Sequence, residues 1–203
     1  MDTLSKDEAR ARQRALRRAM EPSARQDQVD AAERHLLPWL ADNAPRRTVA
    51  SVLSFGAEPP TGHLLGLLHA TGYRVLVPIC EPGRRLSWSE WYPGVPTSRS
   101  RVAPVQEPVG ERHGPERMLE VDVVLVPALA VDERGARLGQ GGGYYDRFIA
   151  SLDALERRPE LVSLVFDHEV LPADSFEHDA LDRRVDAVVT AAGIRRLGDG
   201  PPA

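Results

Sequence analysis

The chain has 203 residues, 42% of them hydrophobic and 28% charged, with a formal net charge of −4. That composition belongs to an ordinary globular domain; it excludes wholesale disorder and argues against nucleic acid as a partner. No apolar run approaches the ~18 residues of a membrane span, and the single cysteine, Cys80, allows no internal disulfide and fits a reducing, cytoplasmic setting.

In chain order, residues 4–20 predict a helix rich in Ala, Arg and Leu that stops before Pro22. Lys6, Arg10 and Arg14 recur every four residues, so this helix presents a basic face on an acidic chain. Twenty-five of the 26 basic residues are arginine, and the one lysine is Lys6. A second helix is predicted over 24–41, with Val29, Ala32, Leu36, Leu37 and Leu40 as its apolar stripe. A β-branched run from Thr48 to Leu53, a helix capped at Thr61 and a strand from Tyr73 to Ile79 form a βαβ unit, hence a parallel strand pair. Leu86–Trp91 predicts a strand and 93–108 a loop. Val121–Val126 predicts a buried strand, followed by a glycine-rich loop over 132–143 and a helix from Tyr144 to Glu156. Strands at Leu161–Phe166 and Val185–Thr190 complete the set. This alternation predicts a three-layer α/β/α fold with a mostly parallel sheet, a single domain over 1–192. The Gly- and Pro-rich residues 193–203 read as a disordered tail.

The chemistry concentrates at Val131–Phe148, between a buried strand and a helix, so its loop is placed at the carboxyl edge of the sheet, where open α/β sheets bind ligands. Gly139, Gly141, Gly142 and Gly143 let backbone N–H groups approach a ligand closely, and the following helix N-terminus favours an anion. Arg137 and Arg147 flank the loop as bidentate phosphate donors. The loop lacks the Gly-Lys-Ser/Thr of a P-loop, and Tyr144 stands where a dinucleotide fingerprint needs glycine.

The run from Arg137 to Arg147 (Arg-Leu-Gly-Gln-Gly-Gly-Gly-Tyr-Tyr-Asp-Arg) resembles the signature of the 5-formyltetrahydrofolate cyclo-ligase family. Four further segments resemble that family in the same order: Lys6 with Arg10, Glu58 with Thr61, the strand from Asp122 leading into Asp132, and His178-Asp179 through Val185-Asp186. The resemblance spans Lys6 to about Thr190. It implies ATP-dependent cyclisation of 5-formyltetrahydrofolate to 5,10-methenyltetrahydrofolate, with ADP and phosphate released. It also implies that Lys6 and Arg10 hold ATP phosphates while Arg137, Leu138, Gly139, Gln140, Gly141, Gly142, Gly143, Tyr144 and Tyr145 wrap the nucleotide. Lys6, Arg10, Arg137 and Tyr145 are the residues it commits to the chemistry. Leu53 and Glu58 match substrate-contacting positions, with Gln140–Tyr144 also facing the folate, and Asp146 and Asp186 match the carboxylates for Mg2+. Small-molecule partners and a monomer are expected.

Residues 81–120 fit the resemblance least and are expected to supply part of the folate pocket. Trp88, Trp91 or Tyr92 would stack on the folate rings there, unless they are ordinary core or rim aromatics. His35, His63, His69 and His113 are scattered without metal-ligand spacing, His178-Asp179 reads as a loop or cap, and Cys80 as buried and inert. The competing reading is a catalytically silent folate- or nucleotide-binding protein of the same fold, with a sugar-phosphate isomerase behind it.

Overall fold

The computed structural model describes residues 3–198. Helix α1 (Lys6–Ala19) starts at a capping box in which Ser5 and Glu8 satisfy each other's backbone N–H groups. Pro22 ends that helix and occupies the first turn of α2 (Pro22–Asn43), where its missing N–H costs nothing. The chain continues through β1 (Thr48–Ala50), α3 (Gly62–Ala70), β2 (Arg74–Glu81), β3 (Arg85–Trp91), β4 (Thr97–Arg99), β5 (Gln106–Pro108), β6 (Val123–Leu125), β7 (Ala130–Asp132), β8 (Arg137–Leu138), α4 (Tyr144–Leu152), β9 (Glu160–Leu164), β10 (Val170–Leu171), β11 (Ala187–Thr190) and β12 (Gly193–Arg196).

The main sheet has seven strands in the order β12-β11-β9-β6-β1-β2-β3. Its five inner strands are parallel, and both edge strands run antiparallel to their neighbours. Alternate residues of the inner strands point to opposite faces. Val49, Val123 and Val189 meet Leu36, Leu40, Leu64 and Leu68 of α2 and α3 on one side. Ala50, Val124 and Val188 meet Phe148 and Leu152 of α4 on the other. A three-stranded sheet, β10-β7-β8, lies beside this body. Ala9 of α1 packs into its apolar face with Leu129, Leu138 and Phe176.

Three expectations need correction. The 93–108 segment holds a short antiparallel hairpin, β4 with β5. Its strands are mostly exposed, so no apolar alternation marks them. The glycine-rich loop is interrupted by β8, which turns back on β7 to close a hairpin. Residues 193–196 pair with β11 and pack Ile194 on the α2 side of the core instead of trailing into solvent. The glycine and proline bias begins only at Gly198; of the expected tail, residues 199–203 lie outside the described residues. Among the described residues no helix is long and apolar enough to cross a membrane.

Candidate active site

A cavity of about 600 Å3 opens where β1, β2 and β6 reach their carboxyl ends, a volume typical of small-molecule sites. Val52 and Leu53 follow β1, Pro78 and Cys80 belong to β2, and Pro127 and Ala128 follow β6. Helix α1 supplies Lys6, Arg10 and Arg14 to the wall, and residues 137–146 supply a continuous stretch of it. Every residue to which the family resemblance gives a role lines this one cavity except Asp186, whereas Arg147, expected as a phosphate donor, is not in the wall and donates to the Gly83 carbonyl at 3.1 Å.

The basic face of α1 clamps the glycine loop. Arg10 Nε donates to the Gly139 carbonyl at 3.0 Å, and Arg14 donates to the Gln140 carbonyl at 2.9 Å and to its side-chain oxygen at 3.1 Å. One turn further, buried Arg17 grips Glu169 and the Ala128 carbonyl. The four-residue spacing therefore builds a row of donors along the cavity, not a solvated face. Arg10 is also paired with exposed Asp7 at 2.7 Å.

Within the loop, Gly141 has φ +99° and Gly143 φ +70°. These are conformations that side chains resist. A Cβ on Gly141 would meet the Arg10 guanidinium carbon at 3.6 Å, an ordinary contact, so it is the backbone conformation that calls for glycine there. Gly143 is the N-cap of α4 and no side chain caps that helix, so its first-turn amides face the loop as an anion-binding terminus.

Arg137 is 3% exposed at its side chain, donates to Asp146 Oδ1 at 2.6 Å, and lies 6.0 Å from the Tyr145 ring centre. The Tyr145 hydroxyl is buried with no hydrogen-bond partner among the described residues. Burial pushes that phenol far above its usual range, so it stays protonated and can act as a donor, not a base. Lys6 donates to Asp179 at 2.8 Å and to Asp182 at 2.8 Å. Partial burial disfavours its charge, but the hydrogen bonds to those two aspartates outweigh this and hold the ammonium above its ordinary value. Glu58 accepts from the Phe55 N–H at 3.2 Å and the Gln140 amide at 3.4 Å, and burial pushes its carboxyl up.

Asp146 and Asp186 are not brought to one point. Asp186 immediately precedes β11, away from the cavity wall, with its two oxygens on the Arg158 guanidinium at 2.7 Å each and one on the Leu161 N–H at 2.8 Å. The aromatics expected from 81–120 are also absent from the wall. Trp88 is fully buried against Phe148, Trp91 packs edge-on to His69, and Tyr92 is half-exposed at the surface. That stretch contributes Leu86 and Ala103–Gln106 instead, and the aromatic lining comes from Phe55, Tyr144 and Tyr145. Cys80 is only partly buried and lines the cavity; its thiol is pushed up to about 11, first by burial and then by Glu107, which keeps it unreactive. Arg14 was legible from its spacing, whereas Phe55, Asp182 and 103–106 carry no periodicity or motif that marks them.

The 5-formyltetrahydrofolate cyclo-ligase family profile matches residues 2–191. A 5-formyltetrahydrofolate cyclo-ligase of Mycolicibacterium smegmatis is 33% identical over 177 residues, covering 84% of this chain and 87% of that one. The enzyme of the same name from Escherichia coli K12 is 28% identical over 183 residues, covering 89% and 97%. The NMR structure of an Aquifex aeolicus 5,10-methenyltetrahydrofolate synthetase superposes with a TM-score of 0.75 at 27% identity, covering 98% and 95% of the two chains.

Proposed function

The chain belongs to the 5-formyltetrahydrofolate cyclo-ligase family, and we propose that its cavity holds ATP against the α1 face and the glycine loop while the reduced folate lies toward Leu53, Glu58 and Phe55. The activity is that of an ATP-using ligase in folate and one-carbon metabolism. The observation that carries the assignment of roles is convergence: α1, the loop at the carboxyl edge of the sheet and the segment after β1 line one cavity.

A formamide is a poor electrophile because its nitrogen lone pair delocalises into the carbonyl. Transfer of the γ-phosphoryl group to the formyl oxygen turns that oxygen into a leaving group. The folate's aryl-amine nitrogen then attacks the formyl carbon and loses its proton. Phosphate departs with the formyl oxygen and the five-membered ring closes. For phosphoryl transfer the protein chiefly positions and neutralises charge. An ammonium has three donors; Asp179 and Asp182 take two on Lys6, which leaves one to meet a phosphate oxygen. Arg10 contributes the guanidinium donors not engaged by Gly139 and Asp7, and the amides of Gly141–Tyr144 cradle the same phosphates. Buried Arg137 meets charge developing on the transferred group. The Tyr145 hydroxyl donates to an oxygen of the bound substrates, and Glu58 accepts N–H groups of the pterin.

Asp146, at the cavity wall with one oxygen on Arg137, suits Mg2+, which takes one or two carboxylates together with substrate phosphates. Asp186 does not suit it, because Arg158 and Leu161 engage its oxygens. When bound, magnesium would neutralise charge on the β- and γ-phosphates. The test is methenyl-folate absorbance from 5-formyltetrahydrofolate with and without Mg-ATP, on the wild type and on Asp146→Asn. Product only with Mg-ATP, and sharply less of it in the variant, is expected. ATP binding without product from the folded wild type would instead establish the silent binder.

A further inference from the structure

Asp30 and Glu33 lie three residues apart on α2, so both project from one side of that helix. His63 stands in the first turn of α3, which covers the same sheet face as α2. Together they bring one imidazole nitrogen and two carboxylate oxygens within 4.8 Å of one another. The His63 Nδ1 to Glu33 Oε2 separation is 2.7 Å, and Gln26 steadies Asp30 with a 2.7 Å hydrogen bond.

Glu33 makes this more than a surface cluster. Its side chain is 4% exposed, and its Oε1 is buried with no hydrogen-bond partner among the described residues. A carboxylate oxygen taken out of water without a partner is costly, and such atoms are rare in folded proteins. A cation beside the carboxylate would relieve that cost.

We infer that Asp30, Glu33 and His63 form a second metal site, distinct from the catalytic cavity, for a borderline divalent cation of the zinc class. None of the three residues lines that cavity. Imidazole with two carboxylates is a zinc-type donor set, whereas magnesium and calcium prefer oxygen alone. Zinc bonds of about 2.0–2.2 Å place tetrahedral ligand atoms roughly 3.3–3.6 Å apart. The three side chains bracket that spacing, from 2.7 Å at the closest pair to at most 4.8 Å. The His63 side chain is 60% exposed, which gives the ion an entry path and leaves a coordination position to water. Occupied, the site ties α2 to the start of α3, directly after the segment that carries Glu58 into the cavity.

Calorimetric titration of the full chain with zinc chloride tests this. One zinc per chain is expected, with affinity reduced at least about tenfold in His63→Ala and in Asp30→Asn, since even outer-shell losses cost metal sites 10- to 100-fold. Both positions are at the surface or its margin, so these variants keep the fold, and circular dichroism checks it. His35→Ala, elsewhere on α2, should bind as the wild type does. Cobalt supplies an independent readout: its visible d–d bands should develop with the wild type and vanish with His63→Ala. Absence of saturable zinc binding, or equal affinity in the wild type and His63→Ala, would overturn the site.

Discussion

Replacing Arg17 with methionine tests how α1 is fastened to the rest of the molecule. Arg17 and Glu169 are 3% and 0% exposed. The guanidinium donates to both carboxylate oxygens, at 2.5 and 3.0 Å, and to the Ala128 carbonyl at 2.5 Å; Glu169 also accepts from the Phe166 N–H at 3.0 Å. The Arg17 side chain further lies 5.8 Å from the Phe166 ring centre. Methionine fills much of the volume but leaves an uncompensated buried carboxylate and an unpaired carbonyl. Breaking a buried pair on one side costs about 3–5 kcal/mol. For a chain of this length that corresponds to a melting temperature about 6–20 °C lower. Urea unfolding should report the loss directly. The double variant Arg17→Met/Glu169→Gln should recover at least about 1 kcal/mol of it, because the neutral amide keeps the acceptor for Phe166 without a buried charge. A loss below about 1 kcal/mol for the single variant, or a double variant no better than it, would refute the reasoning.

Lys6→Ala should barely change stability, since partly exposed ion pairs contribute only about 0–1 kcal/mol, yet raise the KM for ATP roughly tenfold or more through loss of a charge-assisted phosphate bond. An unchanged KM would remove Lys6 from the nucleotide site. Glu58→Gln should gain stability at pH 7. Burial pushes the Glu58 carboxyl up in the fold, so the wild type loses stability as pH rises from the ordinary carboxyl value through the raised one. The two proteins should melt alike below that window and diverge above it, while the variant's KM for the folate increases. Melting curves that differ equally at pH 4 and pH 7 would contradict this. Gly141→Ala should cost at least about 1 kcal/mol, because alanine resists φ +99°, and weaken ATP as relief of that strain shifts the loop amides proposed to cradle the phosphates. Gly56→Ala, also at positive φ but with open space around it, should share the strain without the ATP effect.

Much of this architecture was legible because local chemistry and tertiary packing agree. The four-residue spacing of Lys6, Arg10 and Arg14 marked a helix face, and that face does converge on the glycine loop. Thr61 marked the start of α3, although its hydroxyl serves the Val52 carbonyl instead of the helix amides. Strand direction was not legible: the pattern of β3 matches that of a half-buried strand in either sense, and its antiparallel pairing follows from the tight turn over 82–84. Strand β12 was masked by glycine and proline beyond it. The aromatics of β3 were misleading because Trp88 and Trp91 fill the core and rim, while Phe55 reaches the cavity from a turn that carries no periodic signal. A motif match placed Asp186 beside Asp146, but Arg158 lies outside both motifs, 28 residues before Asp186, and only the fold shows that it engages Asp186. His63 likewise reads as isolated until α2 and α3 lie side by side.

The central claim is that ATP activates the formyl oxygen, and oxygen-18 tracing tests it most directly. 5-Formyltetrahydrofolate labelled in the formyl oxygen should be turned over with unlabelled Mg-ATP, and the released phosphate analysed by mass. The account predicts one labelled oxygen in each phosphate, because the bond that breaks joins the formyl carbon to its phosphorylated oxygen. Unlabelled phosphate, with the label in water, would contradict it.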